Sequence, residues 1–237
     1  AMRGMRSTLA LLVVLVGLGA YIYFVASKQT DTPAQERVFP SLSADAIEEM
    51  TIRNEAGDVT SLKKVDGKWQ MTVPVAARAS DLDASGITSA LSGLEVARVV
   101  EEKPADLKEY GLDKPTVEVA FTAKAPNPSG KIFVGGHTAT AGNLYARKDG
   151  ETKVILISEF NLTTFNKSTF DLRDKAIVTF DKEKADGVDV VLAKGGFELA
   201  KSPEWRMLQP IAARADASAA DGLVTAVESL QMKAVVS

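Results

Sequence analysis

Hydrophobic and polar positions follow three different rhythms along this chain, and each predicts a different element. The first is an unbroken apolar run. "STLALLVVLVGLGAYIYFVAS" carries no charge between Arg6 and Lys28, and a helix of that length crosses a hydrocarbon core of about 30 Å. Arg3 and Arg6 precede it, Leu9 lies near its start, and Tyr21, Tyr23 and Phe24 crowd its far end as interfacial aromatics do. The expectation is a cytoplasmic stub and transmembrane helix over residues 1–27, with the N-terminus inside and membrane lipid around the helix. A cleaved signal peptide is the alternative. Against it, the apolar region is long, and bulky aromatics stand where small cleavage-site residues belong. Residues 28–40 are polar, contain Pro33 and Pro40, and read as a linker. The rest of the chain is then periplasmic or otherwise extracytoplasmic, on a bacterial cytoplasmic membrane.

The second rhythm is alternation with a period of two, the mark of half-buried strands. "EEMTIRN", "VTSLKKV" and "KWQMTV" alternate in succession. Asp66-Gly67 is a hairpin turn between the last two, and Pro74 ends the third because proline has no N–H for the ladder. "TVEVAFTA", "GKIFVGG", "NLYARKD" and "TKVILIS" predict four more strands, an antiparallel meander that continues or packs on the first sheet. The third rhythm is helical. In "ARASDLDASGITSALSGLE", Ser80 or Asp81 is placed to cap a helix whose Ile87, Leu91 and Leu94 share one face. "VARVVE" predicts a strand after it. "ADLKEYGL" predicts one or two helical turns closed by Gly111. "SEFNLTTFN" predicts a short helix capped by Ser158, with Phe160 and Phe165 directed to the core.

These rhythms occur twice. "WQMTVPVAARA" at Trp69 returns as "WRMLQPIAARA" at Trp205. Trp69, Pro74 and Arg78 match Trp205, Pro210 and Arg214, and the register continues through Gly86 with Gly222 and Leu94 with Leu230. A match this dense at one offset indicates a duplicated supersecondary unit, longer than solenoid repeats. The second copy offers "GVDVVLA", "GGFELA", "EWRMLQP", the helix "DASAADGLVTAVESL" and the strand "MKAVV". The fold class is therefore α+β: a single N-terminal transmembrane helix, then an antiparallel β-rich domain with a duplicated β-β-β-α-β unit. Residues 41–175 form the first unit with its additional meander. Residues 176–237 form the second, which stops where a complete duplication would continue.

The repeated phrase has two readings. In the first, Trp anchors the third strand on the helix, proline closes the strand, the alanines allow a close crossing, and Arg78 or Arg214 reaches a carboxylate or a helix end. In the second, the arginines grip an anionic ligand at a site built twice.

Composition removes several chemistries. The chain has no cysteine, which leaves nothing for disulfides or thiolate metal sites, and its one histidine leaves almost nothing for a His-rich metal site or a Ser-His-Asp centre. A net charge of −3 provides no basic field for nucleic acid. His137 lies in "VGGHTATAGNLY", where glycines suit a hairpin turn and the phosphate-loop and dinucleotide patterns are missing. The acidic pairs Asp81 with Asp83, Glu101 with Glu102 and Asp171 with Asp174 do not by sequence proximity make a catalytic dyad. No catalytic, cofactor-binding or metal residue is expected, and no cofactor.

The sequence resembles the bacterial domain-of-unknown-function family 4340. The resemblance rests on the N-terminal anchor, "LKKVDGKWQMTVP", "ARASD", "EYGLDKPTVEV", "IFVGG" and "LYARKDG". It implies an extracytoplasmic partner of a gliding-motility-type ABC transporter, working beside an ATPase, a permease and another auxiliary subunit. The functional expectation is a non-catalytic, membrane-anchored accessory subunit of a membrane protein complex. The alternatives are an envelope glycan- or lipid-binding module and a scaffold subunit of a respiratory or photosynthetic assembly.

Overall fold

The computed structural model describes residues 14–21, 36–140 and 142–235. Residues 14–21 are helical and exposed, Tyr21 among them. No helix among the described residues is long and apolar enough to cross a membrane. Arg3, Arg6, Leu9, Tyr23 and Phe24 lie outside the described residues.

The first unit opens with a 3-10 turn, Ala44–Ala46, and three antiparallel strands: β1 (Ile47–Arg53), β2 (Val59–Val65) and β3 (Lys68–Val73). Asp66 and Gly67 both take positive φ, 49° and 79°, as the two central residues of a tight hairpin must. β3 ends at Val73, directly before Pro74. A two-residue strand, β4 (Ala77–Arg78), then folds back on β3. Helix α1 (Asp81–Ser92) follows, and the Ser80 hydroxyl accepts from the Asp83 N–H at its start. Its Ala84, Ile87 and Leu91 are fully buried, as is Leu94 just beyond it.

The meander β6 (Val117–Ala123), β7 (Gly130–His137), β8 (Asn143–Lys148) and β9 (Val154–Ser158) continues the first sheet, because β6 pairs antiparallel with the free side of β1. The strand after α1, β5 (Arg98–Glu101), crosses to the far end and pairs with β9. The result is one nine-stranded antiparallel sheet in the order β4-β3-β2-β1-β6-β7-β8-β9-β5. Its core joins Met50, Ile52 and Leu62 to Val117, Val119, Ile132 and the apolar face of α1. Helix α2 (Phe160–Phe165) departs from expectation in two details. Its N-cap is Glu159 rather than Ser158, and only Phe165 is buried, whereas Phe160 is 88% exposed. At 3.6 residues per turn, residues five apart point about 140° away from each other, so the face that buries Phe165 leaves Phe160 in solvent.

The second unit repeats this order: a 3-10 turn at Lys182–Lys184, then β10 (Gly187–Leu192), β11 (Gly195–Lys201), β12 (Trp205–Gln209), β13 (Ala213–Arg214) and helix α3 (Ala217–Glu228). Its four strands form a separate antiparallel sheet, β10-β11-β12-β13. Asp216 caps α3 by accepting from the Ala219 N–H. The expected final strand, "MKAVV", is absent among the described residues. Only a bridge between Ala176 and Gln231 stands in its place, mirrored in the first unit by Arg37 with Glu95. The strand needs a neighbour to pair with. In the first unit β5 pairs with β9, and among the described residues no strand pairs with residues 232–235.

Both tryptophans are buried, Trp69 at 3% and Trp205 at 2% exposure. Replacing either with alanine should cost about 3–5 kcal/mol. Each variant leaves the other tryptophan as reporter. In Trp205→Ala, amide exchange should accelerate across residues 187–228 while residues 47–158 keep their protection. Hydrogen exchange read by mass spectrometry measures this directly.

Candidate functional site

The repeated phrase builds the same seat twice. Trp69 lies across from Lys64 in the β2–β3 ladder, and Trp205 lies across from Lys201 in the β11–β12 ladder. Each lysine Nζ stands 5.4 Å from its tryptophan ring centroid, a geometry that adds cation–π attraction to burial. The backbone closes both seats identically: Ala79 N donates to Trp69 O and Ala215 N to Trp205 O, each at 3.1 Å. β4 and β13 pair in matching register, Gln70 with Arg78 and Arg206 with Arg214. Val73-Pro74 and Gln209-Pro210 are both cis.

The carboxylates that tie each seat to its helix differ. In the first unit Asp81 accepts the Trp69 backbone N–H at 2.9 Å and pairs with Lys68 at 3.1 Å. In the second, Asp221 accepts the Trp205 indole N–H at 2.8 Å and faces Lys201 at 3.4 Å. The donated tryptophan N–H is the leading cause that holds each carboxyl below the usual aspartate value, the backbone group for Asp81 and the indole for Asp221.

The two arginines do not converge. Arg78 Nε lies 3.3 Å from Asp174 Oδ2, and its Nη1 donates to Thr179 Oγ1 at 3.1 Å. It thus ties the first unit to the lead-in of the second. Arg214 is more exposed and reaches Glu204 at 3.5 Å. Each arginine thus faces a carboxylate. Equivalent open clefts adjoin the two helix starts. One of about 520 Å³ is lined by Ser80, Asp83, Arg173 and Lys175, and one of about 540 Å³ by Trp205, Arg214, Asp216 and Asp221. In the first, the chain itself docks: Ser80 N donates to Leu172 O and Asp174 N to Arg78 O. No segment docks at the second among the described residues.

The remaining motifs meet at Tyr110. Gly111 takes φ 65° and ends a 3-10 turn at Lys108–Tyr110. A Cβ at Gly135 would collide with the Tyr110 carbonyl, so "EYGL" and "IFVGG" are glycine-bearing because two backbones touch there. Tyr145, from "LYARKDG", packs edge-on to Tyr110 with ring centroids 5.0 Å apart. The Tyr110 hydroxyl donates to Glu101 at 2.7 Å, and this bond raises its pKa to about 12.

The acidic pairs singled out in the sequence have structural partners. Asp83 pairs with Lys167 at 3.1 Å, Asp171 accepts from Ser168, and Asp174 holds Arg78. His137 lies 3.4 Å from Glu159 at the end of β7. Among the described residues no group of three or more His, Asp or Glu is placed to hold a metal ion. Sequence reasoning missed Lys64, Lys201 and Asp221. The lysines were findable only by allowing the two hairpins to differ by one turn residue, and Asp221 has no counterpart in the first copy.

Antiparallel sheets with few helices, built on a three-strand-and-helix unit that occurs twice, define a β-rich α+β protein. The chain belongs to the family described as Domain of unknown function (DUF4340), which matches residues 69–237. No curated protein and no solved structure matches it.

Two measurements test these assignments. Because Asp81 and Asp221 are held low in the fold, their contribution is complete above the ordinary carboxyl value of 3.8 and is lost as pH falls through the lowered one. Asp81→Asn and Asp221→Asn should therefore be less stable than the parent at neutral pH, with the gap closing on acidification below 3.8, as followed by denaturant melts across pH. Separately, spectrophotometric titration should find one tyrosine ionising near 12, and Glu101→Gln should return it towards 10.

Proposed function

We propose that this chain is a non-catalytic, membrane-anchored extracytoplasmic subunit of a membrane protein complex, with a gliding-motility-type ABC transporter as host. The observation that carries the reading is the uncovered apolar surface of the second unit. Ile177, Val178, Phe180, Leu208, Ile211, Val227 and Leu230 are all exposed, Ile211 at 71%. Large apolar side chains left in solvent on one module are a feature of protein-binding faces. The equivalent lead-in residues of the first unit, Val38, Phe39 and Leu42, are buried.

The charge-free run after Arg6 supplies the anchor, and the acidic excess of the chain beyond it suits a domain that docks on protein rather than on anionic headgroups. The shared family motifs meet at packing contacts, Trp69 under α1 and Gly135 against Tyr110. That is the arrangement of a scaffold that presents surface. Docking of the apolar face and lateral confinement by the anchor act together, since confinement raises the effective concentration of a membrane partner.

Gentle detergent extraction from a bacterial membrane tests the reading. The full chain should sediment with membranes and bring an ATPase and a permease with it. A chain without residues 1–27, directed to the same compartment, should appear in the soluble fraction. Recovery of the full chain as a partner-free monomer would overturn the proposal.

A further inference from the structure

Both units take in the chain at the C-terminal end of their helix, and the first hands it on from the N-terminal end. Beyond α1, Val38 N donates to Leu94 O at 2.8 Å and Val96 N to Glu36 O at 2.7 Å. Beyond α3, Ile177 N donates to Leu230 O at 3.1 Å and Met232 N to Lys175 O at 2.8 Å. The chain leaves the first unit at the other end of α1. Its N-cap Ser80 donates from N to Leu172 O at 2.9 Å, Ala79 bridges to Arg173, and Asp174 N donates to Arg78 O at 3.0 Å.

Two sequence neighbours therefore belong to different units. Asp174 is bonded at the start of α1 and Lys175 beyond the finish of α3, with no free residue between them. Gln231, just past α3, lines one cleft with Ser80 and Asp81, which brings together helix ends of opposite dipole sign. Two side chains cross the joint. Arg78 Nη1 donates to Thr179 Oγ1 at 3.1 Å, and Lys175 reaches back to Asp171 at 3.7 Å and over the Phe170 ring at 5.1 Å. Domains on flexible linkers move against one another by default, and this joint has no free residue to act as a linker.

The sheet sets how far the joint lies from the lead-in. Glu36 and Arg37 sit beside the β8–β9 turn, where Lys153 Nζ stands 3.6 Å from Glu36. The joint lies beside β4, through the bridge from Ala79 to Arg173. In the order β4-β3-β2-β1-β6-β7-β8-β9-β5, β9 and β4 are seven strand spacings apart, roughly 34 Å along the sheet at about 4.8 Å per strand.

We propose that the chain works as a rigid spacer, tethered at the β8–β9 end of its first sheet and carrying its second unit away from the bilayer. This deepens the subunit reading above and rests on it for the membrane anchor. Residues 28–35 extend at most about 28 Å, so the β8–β9 end stays near the surface. The acidic excess of the chain keeps its faces off anionic headgroups. The second unit then lies a sheet's width farther out. A unit that receives the chain at one end and releases it at the other adds length, which is what a spacer needs.

The chain has no cysteine, so Asp149→Cys on the β8–β9 turn and Ser218→Cys at the start of α3 each give one labelling site, and both positions are exposed. The full chain is placed in vesicles of phosphatidylethanolamine and phosphatidylglycerol that carry an acceptor dye on their headgroups. A donor dye on D149C should transfer energy several-fold more efficiently than one on S218C. Spin labels on the double variant should give one narrow distance distribution at roughly 34 Å or more. Arg78→Ala with Lys175→Ala should broaden it while residues 47–158 keep their amide protection. Equal transfer from the two sites overturns the spacer and leaves the anchor standing. A broad distribution without the joint substitutions overturns its rigidity and the proposal with it. No transfer from either site sinks the subunit reading and the spacer together.

Discussion

The seat of tryptophan between strand and helix is the contact on which both units depend. A tryptophan buries more apolar surface than any other side chain here, and it does so at the point where the third strand turns over into a helix. The bond from Ala79 to the Trp69 carbonyl, and from Ala215 to that of Trp205, fixes the return strand at the same point. Strand end, short strand and helix start are thereby locked to one residue. The lysine opposite each ring sets its ammonium over the indole, 5.4 Å from the centroid.

From equal seats the units diverge in how much covers them. The first acquires a meander on its β1 side and becomes part of a nine-stranded sheet with one continuous core. The second is buried fully only at Leu199, Trp205, Ala220 and Val224. Residues at matching places therefore have opposite fates. Leu94 is sealed at 1% exposure while Leu230 is 48% exposed. A sheet buries its edge only against another strand, and its face only against another layer, and among the described residues the second sheet has no strand beyond β10 and β13.

Much of this fold was legible in the sequence. Alternation located the strands, Asp66-Gly67 and Pro74 bounded them, and Ser80 marked the start of α1, because each of these is a local preference of the backbone. The errors came where a long-range partner decides. "VARVVE" and "MKAVV" look alike, yet among the described residues only the first is paired, with β9 from far along the chain. Phe160 and Phe165 are equally apolar, and their place on a short helix separates them. The site was less legible than the fold. For Arg78 and Arg214 the sequence left a packing and an anion-binding reading open, and only the structure places Asp174 and Glu204 beside them.

Alone, the sequence determined that the chain is α+β, that it carries one unit twice, and that Pro74 ends the third strand and Ser80 begins the first long helix, since those are set by neighbours a few positions apart. Tertiary structure decided the strand order, the use of Asp81 in one copy and Asp221 in the other, and the meeting of "EYGL" with "IFVGG" at Tyr110. It also decided which copy is sealed. Those outcomes depend on residues that approach each other only after the sheet has formed, and no local preference encodes them.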